Sequence, residues 1–245
     1  MFKKLVLITL GVALVLSACA SPTPTNEPGT LTKIRVPMGY IANIQFAPFY
    51  VALEKGYFRD VGIDIEFDYR FETDGVALVG SGELPFALVS GEQVPLARAQ
   101  GLPVTYVAAW YQQFPVSVVA KSEQGILVPQ DLKGKKIGLP GLFGANYVGL
   151  RALLYEAKMS ESDVTLDSIG FNQVDLLAAG QQDIVVGYTA NEPIQLQARG
   201  IPVTEIRVSD YVQLASNGIL ASEKVIKENP ELVRAFVGAF LKGLS

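Results

Sequence analysis

Two kinds of apolar pattern alternate along the chain. Short runs rich in Val, Ile and Phe, with a period of two or none, mark strands; longer stretches with apolar residues three and four apart mark helices. Residues 33–38 read as a strand, 47–55 as a helix with Pro48 in its first turn, and 63–67, Ile-Asp-Ile-Glu-Phe, as a strand of clean alternation. Gly56-Tyr57-Phe58 and Val61-Gly62 punctuate the turn between that helix and strand, with Tyr57 and Phe58 as packing residues. A short helix over 74–81, capped by Thr73 or Asp74, leads to a buried strand at 84–89. A helix over 92–100 stops at Gly101, and 104–110 is a further strand. Beyond Pro115 the pattern gives strands at 116–120, 136–139, 163–169, 184–188 and 203–208, with a helical turn at 129–133. Helices fall at 144–157, 173–179 and 192–199, the last with Pro193 near its start and Asn191 as its cap.

Strand and helix in this alternation predict an α/β fold with mostly parallel sheets. We place one lobe at 31–114 and 210–245 and a second at 115–209. The return to the first lobe brings a strand at 217–221 and a helix from 229 through 241, whose apolar face carries Val233, Phe236, Val237 and Phe240. The pattern offers no helical partner for that face before the chain stops at Ser245, so a truncated carboxyl-terminal portion is expected.

The amino-terminal segment has a different grammar. An apolar run over 5–16 follows Lys3 and Lys4, is too short to span a bilayer, and gives way to Ser17-Ala18-Cys19-Ala20. Cys19 is the single cysteine of the 245 residues. Leu16-Ser17-Ala18-Cys19 resembles a bacterial lipoprotein signal, which implies removal of residues 1–18 and lipidation of the Cys19 sulfur. The alternative is a plain secretory signal with an incidental Cys, although an exported protein seldom keeps one unpaired thiol. Residues 19–30 hold three prolines and nothing able to enter a core, and so read as a tether. Two acyl chains suffice for stable anchoring, which places the folded part at the outer face of the cytoplasmic membrane or in the periplasm.

Composition narrows the chemistry. The chain is 49% hydrophobic and has no second long apolar span, enough for a large soluble core. Subtracting Lys3 and Lys4 from 20 basic side chains leaves 18 against 24 acidic, a net charge of −6 after cleavage. With neither a basic stripe nor a nucleic-acid motif, no nucleic-acid partner is expected. There is no histidine, hence neither the commonest general base nor the commonest zinc ligand. We expect no metal, no cofactor and no catalytic residue.

Four segments carry a resemblance. Phe49-Tyr50-Val-Ala-Leu-Glu-Lys-Gly-Tyr-Phe58, Gly62-Ile-Asp-Ile65, Asp131-Leu-Lys-Gly-Lys-Lys-Ile-Gly138 and Asn229-Pro-Glu-Leu-Val-Arg-Ala-Phe236, in that order, resemble the substrate-binding proteins of ABC importers. The group is the one that handles thiamine pyrimidine precursors, riboflavin, sulfonates and nitrate. The resemblance implies a monomer of two lobes joined by two crossovers, with a ligand in the cleft, and a membrane permease and its ATPase as partners. It also extends to pyrimidine synthases that consume a protein histidine, chemistry for which this chain lacks the residue.

In open α/β sheets ligands sit beyond the carboxyl ends of strands, where helix N-termini offer free N–H groups. The loops there supply Tyr40, Asn43, Gln45 and Phe46; Asp74; Ser90 and Glu92; Trp110; Phe143 and Gly144; and Tyr188, Asn191 and Glu192 as candidate ligand-binding residues. Each has a plainer reading. Trp110 also suits a core aromatic, Asp74 and Glu92 also suit helix starts, and Tyr188 and Glu192 also suit a crossover lining and a helix dipole. Gly141-Leu-Phe-Gly144 before a helix looks like a phosphate cradle but lacks the G-x-G-x-x-G spacing and the P-loop lysine. These loops hold aromatics, amides and carboxylates and no Lys or Arg, which favours a flat uncharged heterocycle over an anion. Among the ligands the resemblance offers, riboflavin leads. A thiamine pyrimidine precursor is the alternative, because pyrimidine binders commonly place a His in the loop where Asn43-Ile-Gln-Phe46 stands.

Overall fold

The computed structural model describes residues 31–245. The expected signal peptide at 1–18, lipidation at Cys19 and tether at 19–30 lie outside the described residues. Strands β1 (Thr32–Pro37) and β2 (Ile63–Asp68) pair in parallel. Strands β3 (Phe86–Val89) and β4 (Val104–Ala109) flank β10 (Gly218–Ser222), which runs antiparallel to both. A third sheet has the order β7 (Thr165–Ser168), β6 (Lys136–Leu139), β8 (Ile184–Tyr188), β5 (Val116–Lys121), β9 (Val203–Arg207). There β6 is parallel to β7 and β8, while β5 is antiparallel to β8 and β9. The α/β class stands, but the expectation of mostly parallel sheets is corrected to mixed ones. β5 and β10 are the strands on which the chain arrives after crossing between the sheets, and each enters beside strands of opposite direction. Hydrophobic runs buried on both faces look alike in either direction, so periodicity could not reveal this.

Helices cover both faces of the sheets: α1 (Ala47–Glu54), α2 (Glu72–Gly80), α3 (Gln93–Ala99), α4 (Gly144–Glu156), α5 (Gln173–Ala178), α6 (Glu192–Ala198), α7 (Glu223–Glu228) and α8 (Pro230–Leu244). Alternation along β3 divides its side chains between two cores. Phe86 and Leu88 join the cluster of Phe49, Phe236 and Phe240, whereas Ala87 and Val89 join that of Val76, Val79 and Ala97. β8 does the same, with Val186 facing Leu150 and Leu153 of α4 and Val185 facing Leu177 and Leu196 of α5 and α6.

Helix α8 does have a helical partner, contrary to expectation. Phe240 stacks on Phe49 of α1 with ring centroids 4.4 Å apart, and Phe236 stacks on Phe86 at 4.2 Å. The partner lies some 180 residues earlier in the chain, a pairing that local periodicity does not encode. Phe58 is buried and packs near Phe236 at 5.5 Å, in keeping with its packing role. Helix α7 was not foreseen; it starts where Ser222 Oγ accepts from the Val225 N–H at 3.1 Å. No helix among the described residues is long and apolar enough to cross a membrane.

Candidate functional site

The carboxyl ends of β1, β3, β6 and β8 meet the N-termini of α2, α4 and α6 at a cleft lined by Gly39, Phe71, Glu72, Phe143, Gly144, Asn146 and Tyr188. Gly39 makes the approach of β1 to β3 possible. Its φ is +77°, and a Cβ there would lie 2.9 Å from the Leu88 carbonyl oxygen and 3.3 Å from Glu72 Cβ.

Glu72 is the hub on one wall. It opens α2 and shares a helix face with Val76 and Val79, so its carboxylate is carried inward on the apolar side. Glu72 Oε2 accepts from the Ser90 N–H and from Ser90 Oγ, each at 2.8 Å, and Glu72 Oε1 accepts from the Ala145 N–H at 3.2 Å. The Ser90 hydroxyl also contacts Glu92 Oε1. One hydroxyl hydrogen cannot serve two carboxylates, so a proton shared within this trio is favoured. Burial, then the neighbouring Glu92 charge, push the Glu72 carboxyl up to about 7, and burial raises Glu92 as well.

The facing wall is organised by Glu192 at the start of α6. Its Oε2 accepts from the Tyr188 N–H at 2.6 Å and its Oε1 from Asn191 Nδ2 at 2.9 Å. The Tyr40 hydroxyl donates across the cleft to Glu192 Oε1 at 2.9 Å, with Gln173 Oε1 at 3.3 Å. Burial raises Glu192, and burial followed by the Glu192 charge raises the Tyr40 phenol. Asn217 Nδ2 donates to the Tyr188 hydroxyl at 2.9 Å. Aromatic rings complete the closure: Phe71 meets Phe143 at 5.2 Å and Phe171 at 4.8 Å, and Tyr40 meets Phe171 at 4.3 Å. Polar groups at these walls present mainly acceptors. Asn146 Oδ1, Asn217 Oδ1 and Glu92 Oε2 are buried without a hydrogen-bond partner, and no Lys or Arg is buried among the described residues.

The structure thus brings Tyr40, Ser90, Glu92, Phe143, Gly144, Tyr188, Asn191 and Glu192 to one cleft. It does not bring Asp74 there: Asp74 is exposed in the first turn of α2, which begins at Glu72 with Phe71 as its cap, and Glu72 is the inward carboxylate instead. Asn43 is committed to its own turn, accepting from the Gln45 N–H at 2.9 Å and donating to the Ile41 carbonyl at 3.1 Å. Gln45 is buried beside it. Phe46 and Trp110 stack on each other at 5.3 Å inside the core of β1, α1 and α8, and Trp110 also meets Phe49 and Tyr111. Asn191 holds the cap position of α6 without capping it; its Oδ1 accepts from Gln195 Nε2 at 2.7 Å. Glu72, Asn146, Phe171, Gln173 and Asn217 were missed. The i, i+4, i+7 spacing of Glu72, Val76 and Val79 was the available signal for the first, whereas Phe171 and Asn217 arrive from loops whose placement is purely tertiary.

Similarity to known proteins agrees with this geometry. The chain is 44% identical to the riboflavin-binding protein RibY of Chloroflexus aurantiacus, over 99% of this chain and 74% of that protein. It is 29% identical to the formylaminopyrimidine-binding protein of Halalkalibacterium halodurans, over 98% of this chain and 74% of that one. Among solved structures it superposes on the alkanesulfonate-binding protein SsuA of Xanthomonas axonopodis pv. citri with a TM-score of 0.68 at 17% identity, covering 86% of this chain and 72% of that one. The fold is the two-lobe fold of periplasmic binding proteins. The model described as NMT1/THI5 like matches residues 43–245, and with the cleft and the fold in place the chain belongs to that family.

Proposed function

We propose that the protein captures riboflavin in the cleft between the Glu72 and Glu192 walls and hands it, unchanged, to the permease and ATPase of an ABC importer. The observation that carries the reading is the 44% identity to a riboflavin-binding protein across nearly the whole chain. The cleft chemistry supports it. Unpaired acceptors on Asn146, Asn217 and Glu92 suit a ligand rich in hydroxyl and N–H donors, and Phe71, Phe143 and Tyr188 suit a flat ring system. The two lobes, 31–114 with 210–245 and 115–209, open and close about their crossovers. Parting them separates Tyr40 from Glu192 and Ala145 from Glu72, and the ligand takes over those partners. Lipidation at Cys19 holds this monomer at the outer face of the cytoplasmic membrane.

A thiamine pyrimidine precursor is the second reading, favoured by the 29% identity to a formylaminopyrimidine-binding protein. The test is titration of the purified protein with riboflavin, following Trp110 emission and flavin fluorescence. Binding at micromolar affinity or tighter is expected, about −8 kcal/mol or stronger. No response to riboflavin together with a response to an aminopyrimidine transfers the assignment to the second reading.

A further inference from the structure

The segment Gly141-Leu-Phe-Gly144 leads into α4, a helix of 13 residues whose first three residues line the cleft, a setting that ordinarily attracts phosphate. Here the protein supplies the anion itself. Glu72 Oε1 accepts from the Ala145 N–H, and the same carboxylate is pinned from behind by the Ser90 N–H and hydroxyl. The fit is close enough that a Cβ on Gly144, whose φ is +72°, would lie 2.5 Å from Glu72 Oε1.

We propose that Glu72, seated on the N-terminus of α4 and backed by Glu92, makes the cleft reject phosphorylated forms of its ligand and admit only the free alcohol. The inference rests on the vitamin-binding reading and adds a specificity determinant to it. A phosphate monoester carries about −1.5 to −2 charges at neutral pH. To reach the α4 N–H groups it would have to displace the Glu72 carboxyl and lie beside Glu92, a pair that keeps negative charge even with one proton shared between them, and no Lys or Arg is buried among the described residues to offset it. Of the guanidinium groups flanking the region, Arg70 pairs through Nη2 with Asp68 at 2.5 Å while its Nε has no hydrogen-bond partner, and Arg151 pairs with Glu161 at 2.9 Å. A free hydroxyl meets none of these penalties, because it can donate to Glu72, Glu92 or the unpaired oxygens of Asn146 and Asn217.

The experiment compares two alcohol and phosphate pairs by equilibrium titration of the full protein: riboflavin against flavin mononucleotide, and hydroxymethylpyrimidine against its phosphate. For whichever alcohol binds, the expected preference over its phosphate is at least about 100-fold. The preference should shrink at least tenfold in Glu72→Gln or in Glu92→Gln, since each variant removes one of the two ionisable groups that a phosphate would face. A wild-type ratio near one overturns the proposal without needing any variant to fold, and leaves the vitamin-binding reading standing. A ratio unchanged in both folded variants removes Glu72 and Glu92 as its origin and also overturns it. Failure to bind any of the four compounds overturns both readings together.

Discussion

Replacing Glu72 by Gln should change how stability depends on pH, and the sign follows from the cleft. Burial and the Glu92 charge lift this carboxyl from an ordinary 4.5 to about 7 in the folded protein, while the unfolded chain keeps the ordinary value. Between those values the folded state holds a proton that the unfolded state has released. The associated stability is therefore fully present below about pH 4.5 and is lost as the pH rises through about 7. At roughly 1.4 kcal/mol per pH unit the full interval is worth about 3 kcal/mol, of which about 2 kcal/mol falls between pH 5 and pH 8. For a folded unit of this size that corresponds to a loss of about 4–8 °C in Tm between those two pH values. Thermal unfolding of wild type and Glu72→Gln, followed by circular dichroism at half-unit pH steps, isolates the contribution. Glu192, raised by burial, adds slope of the same sign to both proteins and largely cancels in the comparison, whereas Glu92 titrates together with Glu72 and its change on substitution is part of the measured difference. A difference between wild type and variant that is flat from pH 5 to pH 8, or that grows in favour of wild type as the pH rises, would refute the reasoning.

Two further substitutions probe the framework around the cleft. Gly144→Ala introduces a Cβ at positive φ and against the Glu72 carboxylate, so a loss of about 1–3 kcal/mol is expected, read from the urea midpoint with the m-value unchanged. Phe240→Ala removes a fully buried ring stacked on Phe49, and should cost about 3–5 kcal/mol in the same assay without altering the ligand preference between riboflavin and its phosphate.

Local pattern served well where structure is locally determined. The alternation of Ile63, Ile65 and Phe67, the Pro48 and Pro193 helix starts, and Gly144 at the start of α4 each placed an element within a few residues of where it lies. Strand direction was not legible, because β3, β8 and β10 are buried throughout and their residues read the same for parallel and antiparallel neighbours. In the cleft, residues immediately after strands were found by rule, among them Tyr40, Ser90, Tyr188 and Glu192. The choice of Asp74 over Glu72 failed because helix phase decides which carboxylate turns inward, and a shift of two residues in the helix start reverses it. Trp110 suited a ligand-stacking position and a core position equally well by sequence, and its rings lie against Phe46 and Phe49.

The central position of β10 has a consequence for biogenesis. β3 and β4 do not pair with each other; each is completed only by a strand that begins at Gly218, more than a hundred residues after β4 ends. The five-stranded sheet, by contrast, is assembled wholly from residues between Val116 and Arg207. A chain emerging amino terminus first from a ribosome or a secretion channel therefore possesses every strand of the later-encoded sheet before the earlier-encoded one can zip shut. Until Gly218 has emerged, β3 and β4 carry open backbone edges, and that interval is when a protecting chaperone has most to guard.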